Sequence, residues 1–121
     1  MSVEYLDTSH VLALAAGLGV PHVRDLGLIE SAVQRPQMSL YGSEMYPSVA
    51  SKCAALLESI VKNHPLIDGN KRLGWLSAIV FLGSNGVRLD VSDDEGFVFV
   101  VGIAAGDIGF EQIVAWFDAR I

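Results

Sequence analysis

The chain holds a single cysteine, Cys53, among its 121 residues, so no internal disulfide can staple it and an apolar core must hold it together. Cys53 falls on the apolar stripe of a helical pattern, the place of a small buried hydrophobe rather than a nucleophile. Cations are scarce as well. Eight Lys and Arg against 14 Asp and Glu leave a formal charge of -6, and apart from the adjacent Lys71 and Arg72 the cations are scattered singly. Contact with the nucleic-acid backbone relies on clustered Lys and Arg, so direct nucleic-acid binding is not expected. Long hydrophobic runs are also missing. The apolar stretches 73–82 and 97–105 fall short of the ~20 residues that a bilayer-spanning helix needs, so no membrane span is expected. Glu4 and Asp7 stand where a secretory leader would carry basic residues, which predicts a cytoplasmic chain. There is no Ser/Gly/Pro-rich linker, fixed-period repeat or low-complexity tract. With 51% hydrophobic residues, residues 1–121 are expected to form one domain.

What is present is mostly helical pattern. Val49, Cys53, Leu56, Leu57, Ile60 and Val61 recur with the spacing of an amphipathic helix, which Pro65 and its restricted predecessor His64 should end near Asn63. A further helix starts near Asn70 and carries Leu73, Trp75, Leu76, Ala78, Ile79, Val80, Phe81 and Leu82. Because it is apolar on every side, it is expected to be the central buried helix. Asn85-Gly86 supplies its left-handed stop. Ser92 with Glu95 predicts a capping box, with Asp93 and Asp94 in the first turn. The segment that follows is therefore read as a helix, although 97–101 would pass for a strand on propensity alone. Phe110, Ile113, Val114 and Phe117 mark a last helix. Toward the start, Val11, Leu14, Ala15 and Leu18 mark a first helix capped by Asp7 or Ser9, and Leu28, Ile29, Ala32 and Val33 a second after Asp25. The expectation is an all-α domain of about six helices. Residues 38–46 have no helical period and carry turn formers at Gly42 and Ser43, which reads as an extended flap or loose hairpin.

Between two of these helices, residues 63–72 read Asn-His-Pro-Leu-Ile-Asp-Gly-Asn-Lys-Arg. The first N–H groups of a helix lack intrahelical partners and carry the positive end of its dipole, so Gly69, Asn70, Lys71 and Arg72 form a candidate anion cradle. Gly69 allows close backbone approach. The Asn70 amide can donate to the anion, and Lys71 and Arg72 add a point charge and a planar fork. Asp68 is the candidate Mg²⁺ ligand, because that ion takes one or two carboxylates together with phosphate oxygens. His64 is the candidate general base. Each residue alone has a plainer use, as a helix cap, a turn former or a solvated charge. Together, ahead of an apolar helix, they point to phosphate chemistry. His10 and His22 lack ligand spacing, so no zinc site is expected. Trp75 and Trp116 fall in apolar helices and read as core.

The stretch His64-Pro65-Leu66-Ile67-Asp68-Gly69-Asn70-Lys71-Arg72 resembles the signature of the Fic/Doc superfamily, and in particular its death-on-curing (Doc) branch of toxins, whose loop reads His-x-Phe-x-Asp-Ala/Gly-Asn-Lys-Arg. The flanks Tyr46-Pro47, Lys52-Cys53-Ala54-Ala55-Leu56 and Phe81-Leu82-x-x-Asn85-Gly86 are similar too. The resemblance implies an all-helical Fic fold in which ATP phosphates sit on the loop and a hydroxyl of a target protein is modified. Most Fic proteins carry Gly-Asn-Gly-Arg-x-x-Arg and transfer AMP. Here Lys71 replaces the second Gly and Trp75 stands at the second Arg, and both departures match the Doc branch, which resembles kinases.

Carried over by position, the resemblance makes His64 the base, Asp68 the metal ligand, and Gly69, Asn70, Lys71 and Arg72 the phosphate grip, with ATP and Mg²⁺ as cofactors. The flap, with Met38, Tyr41, Gly42 and Tyr46, would dock the target segment through backbone pairing. Elongation factor Tu is the target implied, and a Phd-type antitoxin the partner, because the self-inhibitory Ser/Thr-x-x-x-Glu-Gly/Asn motif is absent. Leu66 in place of Phe implies a slightly looser loop. The alternatives are a Fic-type AMP or other nucleotide transferase on the same loop, and an inert binding module that retains the motif.

Overall fold

The computed structural model describes residues 2–121, and in them six helices surround one core. The order is α1 (Thr8–Gly17), α2 (Leu26–Gln34), a 3-10 turn at Arg35–Gln37, the short strands β1 (Ser39–Leu40) and β2 (Ser43–Glu44), α3 (Val49–Asn63), α4 (Asn70–Ser84), α5 (Asp93–Ala104) and α6 (Phe110–Asp118). Caps account for the starts. Asp7, not Ser9, caps α1 by accepting from the His10 N–H, and Asp25 and Ser48 cap α2 and α3. Ser92 caps α5, but only half of the predicted capping box forms: Ser92 Oγ accepts from the Glu95 N–H while the Glu95 carboxylate turns to Arg120, 2.8 Å away. This cap makes 97–101 helical against its β propensity, and Phe97 and Val98 pay no visible burial, being 68% and 69% exposed.

The central helix is α3, not α4. Ala50, Cys53, Ala54, Ala55, Leu56, Leu57, Ile60 and Val61 are buried, and so are Ser51, Lys52 and Ser59. Counting only large apolar side chains gives a stripe, whereas the alanines and serines close the rest of the circumference by letting neighbouring helices approach. α4 packs tightly on α3 at Gly74, where an added Cβ would lie 2.7 Å from Val61 Cγ2. One side of α4, including Lys71 and Arg72, stays in solvent. Beyond it, Gly96 of α5 rests on the Trp75 indole, and Trp116 of α6 stacks on Phe99 with centroids 3.8 Å apart. Both tryptophans thus belong to the packing, as the sequence predicts. None of the helices among the described residues is long and apolar enough to cross a membrane.

The flap forms a two-stranded antiparallel hairpin with Ser39 opposite Glu44 and Leu40 opposite Ser43. Tyr41 and Gly42 turn it with φ of 51° and 80°, the left-handed pair that matches the twist of a two-residue hairpin.

Candidate active site

The loop between α3 and α4 begins where α3 stops. His64 adopts left-handed dihedrals, φ 52° and ψ 61°, which turns the chain away from the helix axis and leaves the imidazole exposed. Arg24 closes this end of the helix, donating from Nε to His64 O and from Nη2 to Asn63 O, each at 2.8 Å. The α1–α2 connection then runs beside the loop as an extended strip. Pro65 O accepts from the N–H groups of Arg24 and Asp25, the Ile67 N–H donates to His22 O, and Val23 bridges Leu66. This seam is absent from any sequence-local pattern, because its partners lie some 40 positions apart.

The centre of the loop is held by Asn70. Its Oδ1 accepts from the Leu66 N–H at 2.8 Å, and its Nδ2 donates to Leu66 O at 3.0 Å. The same Nδ2 lies 3.5 Å from His64 Nδ1. The sequence offers the Asn70 amide as a donor to an anion, but the structure spends that amide on the loop's own backbone and buries the residue. What Asn70 still presents is its main-chain N–H in the first turn of α4. Leu66, 1% exposed, fills its site with both backbone polar groups paired, so backbone clamping offsets the smaller side chain that implies a looser loop.

Gly69 is the N-cap of α4 with φ 88° and no side-chain cap. Its missing Cβ matters twice, for the positive φ and for space, since a Cβ there would lie 2.7 Å from Val20 Cγ1. The N–H groups at the start of this 15-residue helix therefore face outward without a side-chain acceptor, the arrangement that attracts anions. Lys71 and Arg72 are exposed on the same turn and, among the described residues, join no ion pair. Asp68 is exposed one residue before the cap. It lines a small cavity of about 100 Å³ with Gly19, Val20, His22 and Ile67.

What the start of α4 offers an anion is backbone donors and two exposed cations, whereas the missing Cβ of Gly69 makes room for Val20. No group of three or more His, Cys, Asp or Glu is assembled for a metal among the described residues. Asp68 would thus be a lone protein ligand, which suits Mg²⁺ completed by phosphate oxygens and water. Beside Lys71 and Arg72 a groove of about 400 Å³ opens between α4 and α5, with Trp75, Phe97, Val100 and Val101 in its walls.

The flap is not part of the loop cluster. Met38 and Tyr41 are exposed, Tyr41 fully at 99%, and Gly42 shapes the turn. Tyr46 differs from its expected docking role. Its hydroxyl accepts from Arg35 Nε at 2.9 Å and its ring packs edge-on against Phe110, so it anchors the hairpin from within. Arg35 also donates to Glu58 at 2.9 Å and to Ser59. Burial alone would lower the Arg35 pKa, but the hydrogen bonds to Tyr46 and Glu58 outweigh it and push the guanidinium up. Burial pushes the Cys53 thiol up, which keeps it protonated and chemically quiet.

An exposed imidazole, an exposed carboxylate and an uncapped helix start thus lie along one short loop of a mainly helical scaffold. Residues 2–82 match the model of the Fic/DOC family. The chain is also 44% identical over 117 residues to Toxin Doc of Mycolicibacterium smegmatis, a match covering 93% of this chain and 89% of that protein. The chain belongs to the Fic/Doc family.

Proposed function

We propose that this protein is the toxin of a toxin–antitoxin pair and transfers the γ-phosphoryl group of ATP to a hydroxyl of a protein target, elongation factor Tu. The observation that carries the reading is the uncapped start of α4, with Lys71 and Arg72 free on its first turn and His64 poised at the other end of the same clamped loop. In the nucleotide-transfer pattern a glycine stands at position 71 and an arginine at 75. Here Lys71 supplies a charge, and the Trp75 ring is packed under Gly96 and edge-on to Trp116, so the next turn offers no cation for phosphates beyond the cradle. The similarity to a Doc toxin supports the same reading.

In this scheme His64 takes the proton of the attacking hydroxyl. The first N–H groups of α4, Lys71 and Arg72 stabilise the charge that shifts onto the transferred group and its leaving oxygen. Asp68 would hold Mg²⁺, whose part is to neutralise phosphate charge. Asn70 touches no reacting atom through its amide; it fixes the distance between His64 and the cradle. The flap docks the target segment. Restraint comes from a second chain, a Phd-type antitoxin, and the apolar groove between α4 and α5 suits a segment with one apolar face. The target and partner place the protein in the cytoplasm.

ATP labelled on either the α- or the γ-phosphate tests the scheme. Label should pass to elongation factor Tu from the γ position only, and Lys71→Ala should abolish it. Label from the α position would make this a nucleotide transferase, and no transfer from either would leave an inert module.

A further inference from the structure

Lys52 is the largest charged side chain inside the protein, 1% exposed on the central helix α3. Its ammonium donates to Glu44 Oε1 at 2.9 Å and to the Tyr46 carbonyl, and lies 5.9 Å from the centre of the Tyr5 ring. Burying an ammonium is costly, and an apolar side chain of similar volume commonly serves stability as well or better. The use of this charge lies in what it grips. Glu44 belongs to β2, and Tyr46 lies two residues further on at the end of the flap, so both partners of Lys52 are in the flap.

The hairpin cannot hold its own position. Each strand has two residues, and an isolated two-stranded hairpin is marginal in water. Its outer part is bare: Leu40 is 57% exposed, Met38 48% and Met45 44%. The polar ties of the hairpin lie at its base, to Arg35 on one side and to Lys52 on the other, beside the packing of the Tyr46 ring on Phe110. Both tethers end on α3, whose last turn delivers His64. From Lys52 to His64 the rigid helix rises about 18 Å, so it acts as a ruler between flap and loop.

We propose that Lys52 is a positioning residue for target recognition: through Glu44 and the Tyr46 carbonyl it fixes the hairpin relative to His64. The inference rests on the proposed role of the flap in docking the target. Lys52 touches neither nucleotide nor reacting atoms, so its loss should act on the protein substrate alone.

Lys52→Met and Glu44→Gln test this. Lys52→Met keeps the volume and removes both tethers, whereas Glu44→Gln weakens one and leaves the Tyr46 carbonyl bond. Hydrogen exchange at the amides of residues 39–45 should accelerate about tenfold or more in Lys52→Met and less in Glu44→Gln, with α3 and α4 unchanged. In phosphoryl transfer to elongation factor Tu, KM for the factor should rise about tenfold in Lys52→Met and a few-fold in Glu44→Gln. The kcat should stay within about twofold and ATP affinity by calorimetry should be unaltered. Unchanged flap exchange in Lys52→Met, or a fall in kcat and ATP affinity together with an unchanged KM for the factor, would overturn the proposal. If the unmodified protein transfers nothing to the factor, the functional reading falls, and the exchange data still decide the tether: acceleration confined to the hairpin supports it, and none sinks it.

Discussion

Replacing Asn70 by Ala removes a clamp whose worth can be worked from its partners. Leu66 is 1% exposed, and its N–H and C=O find their acceptor and donor in the Asn70 amide. A buried backbone group stripped of its partner costs about 1–3 kcal/mol. Two such groups in one residue, partly relieved by water reaching the exposed neighbours His64 and Ile67, give a loss of about 3 kcal/mol. That is a sizeable share of the 5–15 kcal/mol typical of a domain, yet the variant should still fold. In urea titration, with a slope of about 1.5 kcal/mol/M, the midpoint should fall by ~2 M at constant slope. The Leu66 amide should lose its protection from exchange while amides in the middle of α3 keep theirs relative to the new global stability. Asn70→Asp refines the test. It keeps the acceptor for the Leu66 N–H, sets a second acceptor against Leu66 O and places negative charge at the cradle. It should therefore cost less stability than Ala while losing ATP binding altogether. If Asn70→Ala matches the wild type in midpoint and in Leu66 exchange, the clamp is idle and the amide is free to serve an anion directly.

Gly69→Ala should destabilise by about 2–3 kcal/mol, through its positive φ and its overlap with Val20. In the Val20→Ala background the overlap vanishes and the φ strain stays, so a double-mutant cycle in urea should show coupling of about 1 kcal/mol; strict additivity would remove the overlap from the account. His64→Ala should abolish transfer and growth inhibition with a stability change under about 1 kcal/mol, because the ring is exposed; retained toxicity at normal expression would remove the base. Asp68→Ala should fail to transfer, as the unmodified protein should in chelator, and activity that survives both would take the metal out of the scheme.

The parts of the molecule legible in the sequence are those set by local chemistry. Asp25, Ser92 and Gly86 mark helix ends through their own side chains or dihedrals, and all three ends fall where the residues place them. The site motif was legible for the same reason, being nine consecutive residues. What was hidden is non-local. The centrality of α3 depends on Ala54 and Ala55 meeting neighbours that periodicity alone does not identify. The roles of Arg24, Val20 and Lys52 depend on a connection or a hairpin folding back over distant backbone. A lone arginine before an Asp cap carries no sign that it will close the end of a helix 40 positions on. Asn70 is the instructive case: its presence was read, but its direction was not, since an amide can face an anion or its own loop with equal local plausibility.

That distinction separates two kinds of residue at this site. His64, Asp68, Lys71 and Arg72 are exposed and bonded to little, so their charges and protons are free for chemistry and their removal should spare the fold. Leu66, Gly69, Asn70 and Val20 are buried or crowded and carry no chemistry through their side chains, yet they set where the first group stands. The same division holds at the flap, where exposed Met38 and Tyr41 lie outward of buried Lys52 and half-buried Arg35. Both assemblies are built on α3, one along its middle and the other at its end. A helix buried on nearly all sides is the part of the molecule least able to shift, because close-packed neighbours resist small displacements. In the proposed scheme, placing the target's hydroxyl against the cradle is a matter of fixed distances between a flap and a loop. The cost of surrounding α3 with packed side chains, including a buried ammonium, is consistent with a protein in which that distance, more than the strength of any one contact, determines transfer.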